Sequence, residues 1–232
     1  MHRQVEIHAY HGWGMDDSFW NPFKSILPKQ IIFKAAKRGY FGKPFYPRFE
    51  NDTKIRVVFT HSFGLHWCKT AVLSKADYLV IFNGFDSLYS PNSDQDETSK
   101  EQLESLIKLF KNDAVEALNK FRKDSFSPSI MDCKFPDNIN VENGLDDLHS
   151  MKTLQFPIID LDFGSTIIAM DSGRDKILQE PRGEAMIDWY VGRKHSMIFE
   201  QEGHALPFTN PSDCWSYLSS TIPIFRHYEN NI

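Results

Sequence analysis

No run of the sequence is apolar for long enough to cross a bilayer, which takes about 20 consecutive apolar residues, so a helical membrane protein is excluded. The opening MHRQVEIHAYHGWG lacks a basic stretch followed by an apolar run and a small-residue cleavage site. No secretory signal is therefore expected, and the mature chain is expected to start here. Cysteine is scarce: Cys68, Cys133 and Cys214 are far apart without a close pair, against both a disulfide framework and a thiolate zinc site. A reducing cytoplasm is the expected compartment. Positive charge is in deficit, 26 Lys and Arg against 31 Asp and Glu, and a net charge of −5 repels nucleic acid. Internal repeats, low-complexity tracts and linkers are missing too, which disfavours solenoids and strings of small domains.

What remains is a chain of 232 residues, 41% hydrophobic and 25% charged, suited to one large core with an insertion and expected to be monomeric. Aromatics reach 14% with 19 Phe, enough for apolar clefts as well as core filling, although interior packing is the plainer reading. Short apolar runs alternate with helical patterns. Strands are expected at Val5 to Tyr10, Ile31 to Phe33, Ile55 to Thr60, Tyr78 to Phe82, Thr166 to Met170 and Ser196 to Phe199. Helical spacing marks Asp16 to Leu27, Leu65 to Leu73 and Pro211 to Leu218. Such alternation implies a doubly wound α/β fold with a mostly parallel sheet. After Asp86 the pattern breaks, and a polar stretch Ser90 to Lys100 precedes a long amphipathic helix from Leu103 to Phe121. Pro128, Pro136 and a polar run follow, then a short helix from Gly144 to Met151. The expected organisation is a core of 1–86 and 153–232 with a helical cap at 87–152.

Ser62 stands at a strand-turn-helix junction, where a tight bend lifts a hydroxyl above the carboxyl end of a parallel sheet. A serine hydroxyl needs a general base, and a histidine needs a carboxylate to orient it. His204 follows one later strand, and Asp171 and Asp175 follow another. Either acid can serve, Asp171 being the closer to its strand and the better placed to cap the turn; Asp175 is preferred. The segment Thr60-His61-Ser62-Phe63-Gly64 keeps the second glycine of a G-x-S-x-G elbow and has Thr60 for the first. The amide of Phe63, and that of Trp13 in His11-Gly12-Trp13-Gly14, are candidate donors to a tetrahedral oxyanion. Asp86 and Asp162 read as solvated loop residues or caps. His8, His11, His61 and His66 form no metal-ligand spacing, so neither a metal nor an organic cofactor is expected. On the long helix, Phe110, Leu118 and Phe121 could roof an acyl channel or bury the helix on the sheet. Lys108, Lys111, Lys120, Arg122 and Lys123 are a basic contrast on an acidic chain, either solubilising or a docking face for an acidic carrier.

These residues resemble the α/β-hydrolase superfamily, and within it the pimeloyl-acyl-carrier-protein methyl ester esterases of biotin synthesis. The resemblance is carried by His11-Gly12-Trp13-Gly14 with Trp20, Ser62 with Gly64, Asn143-Gly144-Leu145 with Leu148, Gly173-Arg174-Asp175, and Gly203-His204-Ala205 with Pro207-Phe208. It covers most of the chain from Val5 to Leu218; the cap and residues 31–55 match poorly. It implies Ser62 as nucleophile, His204 as base and then acid, Asp175 as orienting acid, and Trp13 and Phe63 as oxyanion donors. It further implies acyl carrier protein as partner, with Lys108, Lys111, Arg122 and Lys123 as carrier-binding candidates. Trp13, Phe110 and Phe121 are the substrate-binding candidates. Two departures stand out: Thr60 in the elbow, and entry at what is the third strand of the resembled core. A thioesterase or other small-ester hydrolase, and a hydrolase-fold protein that binds without turnover, are the rival readings.

Overall fold

The computed structural model describes residues 4–89, 93–130, 138–156 and 164–229. Among them, six strands are β1 (Val5–Tyr10), β2 (Ile32–Ala35), β3 (Ile55–His61), β4 (Tyr78–Phe82), β5 (Thr166–Ser172) and β6 (Lys194–Phe199). They form one parallel sheet in the order β2-β1-β3-β4-β5-β6. The chain builds outward from β1 to one side and then from β3 to the other, so the order reverses between those two strands. In open α/β sheets, that reversal leaves a crevice at the carboxyl ends of the strands where ligands bind. The loops that leave β1 and β3 carry Gly12–Gly14 and Ser62 into it.

Every residue of β1 is buried, with Val5, Ile7 and Ala9 in one core and Tyr10 in the other on the opposite face. Such a strand reads as a continuous buried run because both faces of a parallel sheet are covered. Glu6, also buried, is matched by Lys34 at 2.8 Å and by the Glu50 amide at 3.0 Å, which tie the irregular 43–54 segment to the sheet.

Several elements differ locally from their sequence pattern. Residues 16–27 form a 3₁₀ turn (Asp17–Trp20) capped by Asp16 and then α1 (Asn21–Ile26). The expected helix over 65–73 is two short ones, α2 (Gly64–Trp67) and α3 (Thr70–Leu73), because Cys68 turns extended between them. The long helix after β4 begins inside the polar stretch and breaks in two, α4 (Ser93–Asn112) and α5 (Ala114–Phe126). Asp113 makes the break: its backbone is extended at φ −148 and its carboxylate accepts the Glu116 amide at 2.9 Å, a side-chain N-cap. Next come α6 (Val141–Ser150), α7 (Gly183–Ile187), unmarked by periodicity, α8 (Leu206–Thr209), α9 (Pro211–Thr221) and α10 (Arg226–Glu229). Helices α4, α5 and α6, inserted between β4 and β5, pack on one another. Cys133, Pro136 and Asp162 lie outside the described residues.

Candidate active site

Strand β3 ends at His61, and Ser62 follows at φ +52 before Phe63, the residue that leads into α2 at Gly64. A non-glycine residue at positive φ is uncommon, and such strain costs about 1–3 kcal/mol, held here by the surrounding structure. The Ser62 amide donates to the Phe82 carbonyl at 2.9 Å, which pins the turn to β4. Gly64 makes the turn sterically possible, since a Cβ there would lie 2.2 Å from the Tyr10 carbonyl oxygen. Thr60, where the elbow pattern has a glycine, is wholly buried and turns its hydroxyl toward the Val80 carbonyl at 3.5 Å. A small β-branched residue with a nearby acceptor fits the site.

His204 is fully buried, and its Nδ1 lies 2.6 Å from Asp175 Oδ2. Asp175 Oδ1 accepts the amides of Ile177 and Leu178 at 2.7 and 2.9 Å, and Oδ2 also accepts Asn83 Nδ2 at 3.1 Å. Burial pushes the Asp175 carboxyl upward, but the charge and hydrogen bond of His204, with the two amides, outweigh it and hold the acid below its ordinary value. An ionised carboxylate only accepts, so Nδ1 carries the proton of this bond, and in the neutral ring that fixes Nε2 as the nitrogen with the lone pair. That Nε2 is buried and has no hydrogen-bond partner among the described residues. Asp171 takes a different part: its Oδ2 accepts the Gly183 amide at 2.7 Å at the start of α7, and burial drives its carboxyl up to about 7.

His61, beside Ser62, donates from Nε2 to the His204 carbonyl at 2.8 Å, with the two rings 4.9 Å apart. The Ser62 and His204 loops are thereby held against each other. On the other side of Ser62, a Cβ on Gly12 would sit 3.1 Å from the serine Cβ, so the loop after β1 passes directly over the elbow. The amides of Trp13 and Phe63 have no hydrogen-bond partner among the described residues. Unpaired buried amides are costly, and these two belong to the loop that passes over Ser62 and to the residue that follows it, which makes them candidate donors to an oxygen that acquires charge.

Ser62 opens into a cavity of about 380 Å³ walled by Trp13, Phe85, Phe121, Leu148 and Met151, with Thr98, Ser99 and Gln102 of α4 also lining it. Phe110, expected to contact substrate, is not on this wall: it is buried behind Trp13, its ring edge-on to the indole at 5.1 Å. Arg122, expected on a carrier-docking surface, is buried instead. It is only 8% exposed, and its Nε and Nη2 donate to the Gly14 carbonyl at 3.0 and 2.8 Å. The face of α5 that the sequence marks as basic is thus split, Arg122 pointing inward and Lys120 and Lys123 outward. Lys108 and Lys111 are exposed on α4. The remaining histidines have structural partners: His8 meets Glu6, His11 meets the Gly12 carbonyl, and His66 meets the Phe85 carbonyl. Asp86 is an exposed turn residue that accepts the Ser87 amide.

Sequence reasoning missed Asn83, which donates to Ser172 Oγ, Asp175 Oδ2 and the Gly203 carbonyl from a backbone at φ +45. Its signal was present in Asn83-Gly84 at a strand end, where asparagine tolerates the left-handed region.

The chain has the α/β-hydrolase fold. Its structure superimposes on an esterase from Exiguobacterium antarcticum with a TM-score of 0.72 at 14% identity, over 96% of this chain and 93% of that one. It is similar to a lipase-esterase related protein from Clostridium acetobutylicum (TM-score 0.66, 13% identity, 94% and 95% of the chains). It is also similar to BioG from Haemophilus influenzae (TM-score 0.58, 16% identity, 93% and 94%). No protein-family model matches the sequence, and no curated protein matches it. No helix among the described residues is long and apolar enough to cross a membrane.

Proposed function

We propose that the protein is a serine carboxylesterase whose nucleophile is Ser62. The observation that carries this reading is a strained serine on the β3–α2 turn, held through the His61–His204 bond beside the loop of a buried imidazole whose Nδ1 meets Asp175 and whose Nε2 has no partner among the described residues. His204 Nε2 takes the hydroxyl proton as Oγ bonds to the ester carbonyl carbon. The Trp13 and Phe63 amides receive the oxyanion, and Asp175 stabilises the imidazolium. As the tetrahedral intermediate collapses, the ester C–O bond breaks, His204 returns its proton to the leaving alkoxide, and the alcohol departs. The acyl-serine is then attacked by water, deprotonated by the same Nε2, and the acid is released as Oγ regains its proton.

The substrate we assign is the methyl ester of pimeloyl-acyl-carrier protein, in biotin synthesis, releasing methanol. Support comes from the His11–Gly14, Ser62–Gly64, Asn143–Leu145 and Gly203–Ala205 segments shared with that esterase family, and from an apolar cavity able to hold an acyl chain. Lys108, Lys111 and Lys123 are the exposed cations left to meet an acidic carrier. Cys68 and Cys214 are free and buried, which fits a reducing cytoplasm.

A fluorophosphonate should label Ser62, and a panel of carrier-bound methyl esters, acyl thioesters and free short esters should show preference for the first. Restored growth of a biotin auxotroph lacking its esterase is the matching result in cells. Preference for thioesters sinks the substrate assignment, and an unlabelled, inert protein sinks the hydrolase reading.

A further inference from the structure

The loop that carries the Trp13 amide lies between glycines. Its Gly14 is at φ +66, and glycine is the residue with the most backbone freedom. A loop with that freedom does not hold an amide in one direction on its own. At its start the loop is held by His11 Nδ1 on the Gly12 carbonyl and by Trp67 Nε1 on the His11 carbonyl, both at 2.9 Å; on Trp13 and Gly14 the inserted helices place three further restraints. Trp13 Nε1 donates to the Gly144 carbonyl of α6 at 2.9 Å. Arg122 of α5 places two N–H groups on the Gly14 carbonyl. Leu118 and Phe121, on the same helix, press on Gly14 so closely that a Cβ there would lie 2.9 Å from Leu118 Cδ2.

Burying a guanidinium is expensive unless hydrogen bonds offset the lost water. Here two of its donors are spent on the Gly14 carbonyl, one residue beyond Trp13, which shares the cavity wall with Ser62. The planar fork fixes that carbonyl from two directions, which a lysine ammonium, a compact charge on a flexible stem, does not reproduce. One turn further along α5, the Ser125 carbonyl accepts the Ala205 amide at 2.9 Å, adjacent to His204. A single helical turn thus bonds to the loop on either side of the serine.

We infer that Arg122 is a positioning residue for the oxyanion hole, holding the Trp13 amide toward the carbonyl oxygen through its fork on Gly14. The inference rests on the hydrolase reading above. The test compares wild type, Arg122→Lys and Arg122→Met on a free short-chain ester, so that carrier docking plays no part. Active sites are titrated to completion with a fluorophosphonate, so misfolded molecules drop out of kcat. Thermal midpoints are read alongside.

Expected for Arg122→Lys is a fall in kcat per titrated site of about tenfold or more, in keeping with the roughly 10²–10³ seen when an oxyanion donor is lost. KM should move less than about twofold. Affinity for a trifluoromethyl ketone, whose adduct with serine places an oxyanion in the hole, should fall in step with kcat. Affinity for the product acid should hold. Where the methionine variant does not fold, the lysine variant carries the comparison. Unchanged kcat per site in the lysine variant overturns the inference, as does a lost kcat with undiminished ketone affinity. Wild-type protein that neither turns over esters nor takes the label removes the hydrolase reading itself, a different failure.

Discussion

Asn83 Nδ2 donates to Asp175 Oδ2 at 3.1 Å, onto the same oxygen that receives His204 Nδ1 at 2.6 Å. The amide therefore joins the end of β4 to the acid that orients the imidazole, and reaches the Gly203 carbonyl beside His204 as well. Asn83→Ala removes three contacts at once and leaves a non-glycine residue at positive φ. The expected result is a loss of about 1–3 kcal/mol of stability, with kcat reduced by about tenfold or more. Urea unfolding and kcat per labelled site measure the two, and unaltered turnover would refute a part for Asn83 in orienting Asp175.

Ser62→Ala should abolish ester cleavage and leave the fold in place. Ser62→Gly should also be inactive yet more stable than Ser62→Ala by about 1 kcal/mol, because glycine relieves the strain of φ +52. Equal unfolding midpoints for the two variants would show that the elbow stores no strain.

Reversing charge at Lys108 and Lys111 together should raise KM for a carrier-bound methyl ester and leave kcat/KM for a free short ester within about twofold. Both residues are exposed on α4, and neither is among the side chains that line the cavity. An equal loss on both substrates counts against docking at this face.

Asp171 should limit stability at alkaline pH. Burial raises its carboxyl from 3.8 to about 7, so between those values the folded chain holds a proton that the unfolded chain has released. The resulting stabilisation is complete below about pH 3.8 and gone above about 7. Asp171→Asn, which keeps an oxygen for the Gly183 amide, should gain about 1–3 kcal/mol relative to wild type at pH 8 and much less at pH 5. Urea titrations at the two pH values decide it; an equal difference at both removes Asp171 as the cause.

The acid limit has the opposite sign. Burial lowers His11 and His66 from 6.5 to about 4, so both fold as neutral rings. Their contribution is intact above pH 6.5 and is lost as pH falls from 6.5 toward 4, where the unfolded chain takes up protons first. His66→Gln, able to keep a donor on the Phe85 carbonyl, should flatten the fall in urea midpoint across that window. A slope identical to wild type would place the acid sensitivity elsewhere.

The strands and the turns that follow them were legible because their signals are local. Ile55 to Thr60 followed by His61-Ser62-Phe63-Gly64 is a strand and a turn on any reading, and His204 follows another strand in the same way. Asp175 against Asp171 was harder: Asp171 is the next-to-last residue of β5 and Asp175 lies three beyond its end, and only the backbone path decides which one meets the imidazole and which one accepts the first amide of α7. Arg122 was misread because helical periodicity around Lys120 and Lys123 gives no hint that a glycine carbonyl waits beneath one position of the three. Asp113 breaking the long helix, and Phe110 retreating behind Trp13, likewise depend on what packs against them. Charge and hydropathy report how often a residue type is exposed, whereas burial of an arginine is settled by a partner more than a hundred positions away in the chain.

Because α5 bonds to the loops on both sides of Ser62 within a single turn, this helix cannot be treated as an interchangeable part. Grafting a foreign insertion in its place would alter the reaction centre together with the pocket, whereas α4, which supplies much of the cavity lining, is the segment where acyl preference can be re-engineered while the chemistry is left alone.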